Sequence, residues 1–286
     1  MSATPMHWET DSYYYSGQGV VLIGGRDVNG RPTGLIPVGN VSDLKITIST
    51  GIVEHKDSQD GQRATDKRIN SEVKSGLAMT LQSWSSANLT LAVRGTSNVI
   101  TAGTVASSAS ESVTAYSGAV SPLKYAMVSA VTVSDGTVVL TAWNSTMTSA
   151  SAWDYQLNAD HGSLQFNSTV SGLVQGGGVL ANATFATATP PALPSMSVTV
   201  AYDYAAQYNT DSLTTGIQER FMRFEGLNTA EDNQPVVIEV FKFSIDPLKE
   251  LAMISDTFAQ FVLEGSVLRD GLQLTGSKYF RTITLQ

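Results

Sequence analysis

Two stretches of the chain alternate with a period of two. From Val41 to Ser49, Leu44, Ile46 and Ile48 fall on one side, and Asp43, Lys45, Thr47 and Ser49 on the other. From Glu72 to Gln82, Val73, Leu77, Met79 and Leu81 oppose Glu72, Lys74, Thr80 and Gln82. Successive side chains of a strand point to opposite faces, so each stretch predicts a β-strand with one buried and one wet face. Between them lies Glu54–Arg68, mixed in charge, which reads as part of a long loop over 51–70. Loops of that length without structure of their own usually serve a function. Ser85 then predicts a helix N-cap, Leu89, Leu91, Ala92 and Val93 an apolar stripe, and Gly95 a stop, giving one short helix at 85–95.

The remaining pattern adds strands. Gly19–Gly24 is a compact apolar candidate, followed by turn signals at Asn29-Gly30 and Arg31-Pro32. In the middle, 128–133 and 137–141 read as a hairpin around Ser134-Asp135-Gly136, with further strands at 153–157, 162–166 and 197–204. Gly176-Gly177-Gly178 and the Pro190–Pro194 stretch punctuate them. Toward the end, 220–224, 235–245, 257–267 and 279–285 are strand candidates, with a turn beginning at Gly226-Leu227-Asn228. Texture divides the chain into 1–100, a low-charge Ser/Thr/Ala/Val/Gly-rich insert at 101–205, and 206–286, where charge returns. The expected class is mainly β, a β-sandwich or barrel with one short flanking α-helix and an inserted β-rich region.

Composition narrows the chemistry. With 42% hydrophobic and 15% charged residues the chain can build a core and does not read as disordered. The absence of cysteine removes disulfides, thiol nucleophiles and zinc–thiolate sites. A net charge of −8 argues against gripping nucleic acid, yet suits a surface that nucleic acid passes without sticking. No apolar run is long enough to cross a bilayer, and the first residues lack the basic-then-apolar order of a secretory signal, so a soluble cytosolic product is expected.

The search for catalysis returns nothing. His7, His55 and His161 stand in unrelated segments, where a surface histidine is the expected role. Gly17-Gln18-Gly19 with Gly24 leads into a strand and is not followed by Lys-Ser/Thr, so it does not read as a phosphate loop. Asp57-Ser58-Gln59-Asp60-Gly61 lacks the ligand spacing of a calcium loop. Glu231-Asp232 fits a turn, and Asn-X-Ser/Thr sequences at Asn40, Asn88, Asn144, Asn167 and Asn182 are what a Ser/Thr-rich chain produces by chance. No catalytic, cofactor-binding or metal-binding residue is assigned, and the protein is not expected to be an enzyme. What remains is geometric. An amphipathic strand pair has raw edges, which a monomeric sandwich can cover from within, or which identical copies can complete in a closed ring. The alternation fits both.

Several short motifs occur in a telling order. Gly17–Gly24 leads to Val38-Gly39-Asn40-Val41-Ser42; the 54–68 stretch, with Asp57-Ser58 and Asp60-Gly61, precedes Met79-Thr80-Leu81 and Asn88-Leu89. Phe224-Glu225-Gly226-Leu227-Asn228 then precedes Val240–Pro247 and Glu264–Asp270. In this order the chain resembles the major tail tube proteins of long-tailed, siphovirus-type bacteriophages. The middle, from Trp153-Asp154-Tyr155 through Gly162-Ser163-Leu164 to Val200-Ala201-Tyr202, resembles the β-rich addition of larger members.

The resemblance implies a structural virion protein without catalysis or cofactor. Its sandwich or barrel core, flanked by a helix, would form homohexameric rings that stack into a hollow tail tube by helical assembly. The implied partners are further copies of the chain, the tape measure protein, the tail terminator and the distal tail or baseplate proteins. Genomic DNA would pass during ejection without specific binding, and no membrane partner is implied. Such a protein is made and assembled in the bacterial host cytoplasm and resides in the virion tail. Strands 41–50 and 71–83 would line the lumen through Asp43, Lys45, Thr47, Ser49, Glu72, Lys74, Thr80 and Gln82. The 51–70 loop would touch an adjacent ring through Glu54, Lys56, Asp57, Asp60, Arg63, Asp66, Lys67 and Arg68. Strands near 235–246 and 257–268 would supply the second half of the barrel, although Glu239 and Lys242 fall on opposite faces there. Asp43 and Glu72 would repel phosphates from the wall, with Lys45 and Lys74 partly cancelling them. The competing readings are a β-sandwich surface binding or decoration module, and a tube protein of a contractile injection or secretion system.

Overall fold

The computed structural model describes residues 14–284 apart from 59–60, 62, 107–109, 137, 149–151, 168–173, 176–177 and 180–194. The chain is mainly β and divides into two units, Met1–Ser97 with Thr210–Gln286, and Asn98–Asn209. The first unit holds β1 (Gly17–Arg26), β2 (Pro32–Pro37), β3 (Val41–Lys56), β4 (Thr65–Leu81) and α1 (Ser86–Ala92). After the second unit come β16 (Glu219–Asn228), β17 (Gln234–Ile245), β18 (Phe261–Val267) and β19 (Phe280–Thr284). The chain leaves the first unit along β5 (Thr96–Ile100) and re-enters along β15 (Gln207–Asp211), and these two strands pair with each other.

In the first unit an eight-stranded antiparallel sheet runs in the order β2-β1-β16-β17-β18-β4-β3, with β19 also on β17. One edge of β17 serves two partners: Val236–Val240 pair with β19, and Phe243–Ile245 pair with β18. The switch occurs at a β-bulge, where Met222 faces Val240 but Arg220 faces Phe243. A bulge bends its strand and flips the following side chains to the other face. Val240 and Phe243 consequently both point into the core despite their odd spacing. The core joins Val21, Ile23, Met222, Phe224 and Val240 on one side of the bulge to Leu77, Met79, Leu81, Phe261 and Leu263 on the other, so the sheet folds over its own apolar face. The strand expected at 220–224 runs on to Asn228, and the turn sits beyond it, where Asp232 and Asn233 take left-handed backbone angles. The unpredicted β2 is an edge strand whose prolines at both ends cost no ladder bond.

The helix is shorter than the 85–95 expected. Ser85 Oγ accepts from the Asn88 N–H at 3.1 Å, and Asn88 Nδ2 donates to the Val38 and Ser83 carbonyls, both at 2.8 Å. Asn88 is therefore a buried structural clasp between helix and sheet. The helix ends at Ala92, Val93 caps it, and Arg94 takes the left-handed conformation usually given to glycine. Gly95 is needed for closeness instead: a Cβ there would lie 2.3 Å from the Asp211 carbonyl oxygen.

A buried ion pair ties the far ends of this unit together. Arg26, the last residue of β1, places Nη2 2.7 Å from Asp270 Oδ2, with side chains 8% and 2% exposed. Asp270 also accepts from the Leu272 N–H and from Gln273 Nε2, both at 3.2 Å.

The second unit contains β6 (Gly103–Val105), β7 (Glu111–Tyr116), β8 (Val120–Pro122), β9 (Val128–Ser134), β10 (Tyr155–Asn158), β11 (Ser163–Phe166) and β14 (Ser195–Tyr204), with two-residue strands β12 (Val174–Gln175) and β13 (Gly178–Val179). β14 pairs with β6, β7 and β9, and β11 pairs with β10 and β8. Their apolar faces share a core of Val113, Val133, Leu164, Phe166, Val200 and Tyr202. The hairpin expected at 128–141 keeps only its first strand: 139 makes an isolated bridge to Ser134, and the Leu140 N–H donates to the Val133 carbonyl at 2.8 Å.

Asp154 is fully buried in this unit. Its Oδ2 accepts from the Thr141 N–H at 2.7 Å, whereas Oδ1 has no hydrogen-bond partner among the described residues. Burial pushes its carboxyl up to about 6, against the pull of the Thr141 amide. The folded unit therefore binds this proton more tightly than the unfolded chain, and stability falls as pH rises between about 4 and 6. Chemical denaturation is expected to show the unit roughly 2 kcal/mol more stable at pH 4 than at pH 7 from this group. Asp154→Asn should flatten that component of the slope, and an unchanged profile would assign it elsewhere.

Candidate functional site

β3 and β4 remain paired from Val41 opposite Leu81 to Lys56 opposite Thr65. The partnership of β4 with β18 ends at Ser75 opposite Val267. Beyond that point the two strands form a free ribbon of residues 48–56 and 65–74, with every residue exposed except the half-buried Gly51. The expected 51–70 loop is thus corrected to a turn at 57–64, closed by the Asp57 N–H donating to the Ala64 carbonyl at 2.8 Å. Glu54, Lys56, Asp66, Lys67 and Arg68 are strand residues, Asp57 and Arg63 lie in the turn, and Asp60 lies outside the described residues.

Cross-strand chemistry explains the extension. Arg68 Nε reaches Glu54 Oε1 at 3.1 Å and His55 Nδ1 reaches Asp66 Oδ1 at 2.6 Å, while Val53 and Ile69 face each other as a β-branched pair. Val53 and Ile69 are nonetheless 52% and 55% exposed, and Ile48, Ile52 and Val73 add to the apolar surface of the ribbon. A register shift at Gly51 and Ile52 gives β4 one extra residue, so the clean alternation ends there.

Below the ribbon, the sheet face turned away from the core collects most of the residues assigned to a lumen. Asp43 lies opposite Thr80, Lys45 opposite Ala78, Thr47 opposite Gly76, Ser49 opposite Lys74, and Gly51 opposite Glu72. The face continues onto β18, where Thr80, Ala78 and Gly76 oppose Val262, Glu264 and Ser266. Gln82 is the exception: it lies past the end of β4, accepting a hydrogen bond from Asn40 Nδ2. Small and hydroxylated side chains dominate the middle rows, leaving a smooth wall.

The charges on this wall are paired. Lys45 Nζ is 2.6 Å from Asp43 Oδ2, Lys74 Nζ is 2.9 Å from Glu72 Oε1, and Lys249 reaches Glu264. Asp43 and Glu72 thus each lie beside the lysine expected to offset part of their charge, since side chains two apart on one strand face are neighbours. Such exposed pairs contribute little stability. Lys45→Gln with Lys74→Gln is expected to shift unfolding free energy by under about 1 kcal/mol while adding two net negative charges to the wall. A large loss of stability would make these lysines structural.

On the other half of the sheet Glu239 is buried on the face opposite the core. It lies between its cross-strand neighbours Arg223 and Arg281, each at 2.6 Å, while Lys242 pairs with Glu219 at 2.7 Å on the far side of the bulge. An opening of about 760 Å³ exposes part of the core between β1, β19 and β3, lined by Val21, Leu44, Ile46, Phe224, Ile238 and Phe280. The glycine-rich start of β1 follows from packing: a Cβ at Gly19 would lie 2.3 Å from the Glu225 carbonyl oxygen. His161 bonds locally to Asn158, and His7 lies outside the described residues. Among the described residues no three His, Asp or Glu side chains gather as metal ligands.

A family model described as Protein of unknown function UCP028589 matches residues 14–283, nearly the whole chain, and the chain belongs to that family. A search of curated proteins finds no match.

Proposed function

We propose that the chain is a tube-forming structural protein of a phage tail, assembling as six-fold rings stacked into a conduit for DNA. The observation that carries this reading is the β3–β4 ribbon. Isolated two-stranded hairpins are marginal in water, and an unpaired ribbon bearing exposed Ile and Val invites another chain. A ribbon that leaves the sheet with both faces bare is suited to docking on an adjacent ring, where its apolar residues would be covered. The smooth, charge-paired face at its base suits a channel wall, because it offers phosphate no cluster of unpaired cations to stall on. In this reading copies of the chain fill the opening beside the β3 edge, and the tape measure protein occupies the lumen during assembly.

Electron microscopy of concentrated protein is the direct test. Hollow rings or tubes are the expected result; monodisperse globules at all concentrations would favour a surface binding or decoration module, a role that the separate core of the second unit also suits. Deuterium exchange adds a residue-level expectation: amides of 48–56 and 65–74 facing away from the partner strand exchange quickly in the free subunit and are protected in the tube. Equal protection in both states would remove the ribbon from the interface.

A further inference from the structure

A second feature of the first unit is independent of the ribbon and of the tube reading. Beside the C-terminal end of α1 lies a pocket of about 280 Å³, lined by Thr90, Arg94, Thr96, Ser97, Gly216 and Arg220, among others. Two guanidinium groups border this one small space. Arg220 is half-buried and donates to Gln218, with no carboxylate paired to it among the described residues. Burial alone pulls its guanidinium below the usual arginine range, the signature of a cation desolvated without a counter-charge. Arg94 holds Nε and Nη2 on the Ile245 carbonyl at 3.0 and 2.8 Å, and its ion pair with exposed Asp246 is long, at 3.4 Å. Its left-handed φ of 47° belongs to the end of α1 and directs the chain, with this side chain, toward the pocket wall.

The rest of the lining is polar or open. Thr96 Oγ1 accepts from Thr214 at 3.0 Å, which leaves its own hydroxyl proton free to donate. Above Gly216 a Cβ would meet nothing within 4 Å. We propose that this pocket is an oxyanion site that takes one phosphate-class anion between Arg220 and Arg94. Guanidinium forks match tetrahedral oxyanions in bidentate geometry, and a bound anion would supply the charge that Arg220 lacks.

Isothermal titration of the full-length chain with inorganic phosphate, at ionic strength held constant with chloride, tests the proposal. Wild-type protein is expected to bind one phosphate saturably, and Arg220→Gln to bind at least about tenfold more weakly. Arg31→Gln, the same charge change at an exposed turn, should bind as wild type. Absence of saturable binding in the wild type, equal affinity in Arg220→Gln, or an equal loss in Arg31→Gln would each overturn the site. Should Arg220→Gln fail to fold, Gly216→Asp gives a second reading, because it places a carboxylate in the open space. That variant is expected to melt at a higher temperature and to lose its response to phosphate; wild-type phosphate binding by Gly216→Asp would also overturn the site.

Discussion

Replacing Glu54–Arg68 by Asn-Gly is expected to abolish tube formation completely while leaving the subunit as stable as before. Val53 and Ile69 face each other across the ribbon, so a two-residue turn of the type favoured in hairpins can close directly between them. The excised residues contribute nothing to the core: all of those described are exposed apart from half-buried Asp57, and the first unit's buried cluster begins only at Leu77 on β4. Thermal unfolding should therefore stay within about 0.5 kcal/mol of wild type, as for surface changes away from special features. Sedimentation and microscopy should show subunits or isolated rings and no stacks. Tubes of normal length from the shortened chain would disprove the role given to the ribbon.

The largest stability effect is expected at Arg26 and Asp270. Asp270→Ala removes the nearer, buried carboxylate from a guanidinium that is 8% exposed; Glu219, half-exposed, stays at 3.6 Å. Breaking one side of a buried ion pair typically costs about 3–5 kcal/mol, because the remaining charge stays desolvated. The double change Arg26→Met with Asp270→Leu should cost less than Asp270→Ala alone, since no orphaned charge is left. Acid should mimic the single variant. Burial alone would raise the Asp270 carboxyl, but the Leu272 amide, Gln273 and Arg26 together outweigh it and hold the group below the usual carboxylate range. The stability linked to a depressed carboxyl is present above its unfolded value and fades as pH falls below about 4. Denaturation curves that are indifferent to Asp270→Ala would show that the pair is solvated in solution.

Parts of this architecture are legible in the sequence for identifiable reasons. β3 and β4 announce themselves between Val41 and Gly51 and between Glu72 and Leu81, because one face is buried and the other wet, and α1 through its Ser85 cap. The signal disappears at the Gly51 bulge, past which both faces of the ribbon are exposed and nothing forces apolar residues to alternate. What remained was a mixed-charge stretch with the texture of a loop. β17 hides for the opposite reason. From Val236 to Ile245 every residue is buried or half-buried, and the bulge shifts the phase midway, so Glu239 and Lys242 look contradictory until Arg223, Arg281 and Glu219 are seen beside them. The Arg26–Asp270 pair and the meeting of Arg94 with Arg220 join residues more than a hundred positions apart. No local spacing encodes either one.

The register of β1 has a consequence for how the protein is made. Gly17 lies opposite Asn228 and Gly24 opposite Phe221, so β1 finds one neighbour, β2, at once but meets the other, β16, only after the whole interposed unit has been translated. The interposed unit, Asn98–Asn209, is continuous in sequence and can condense while the rest is still being synthesised. A nascent chain that stalls before β16 carries β3 and β4 but lacks the sheet that anchors them. Completion of the first unit's sheet therefore awaits the return of the chain after Asn209.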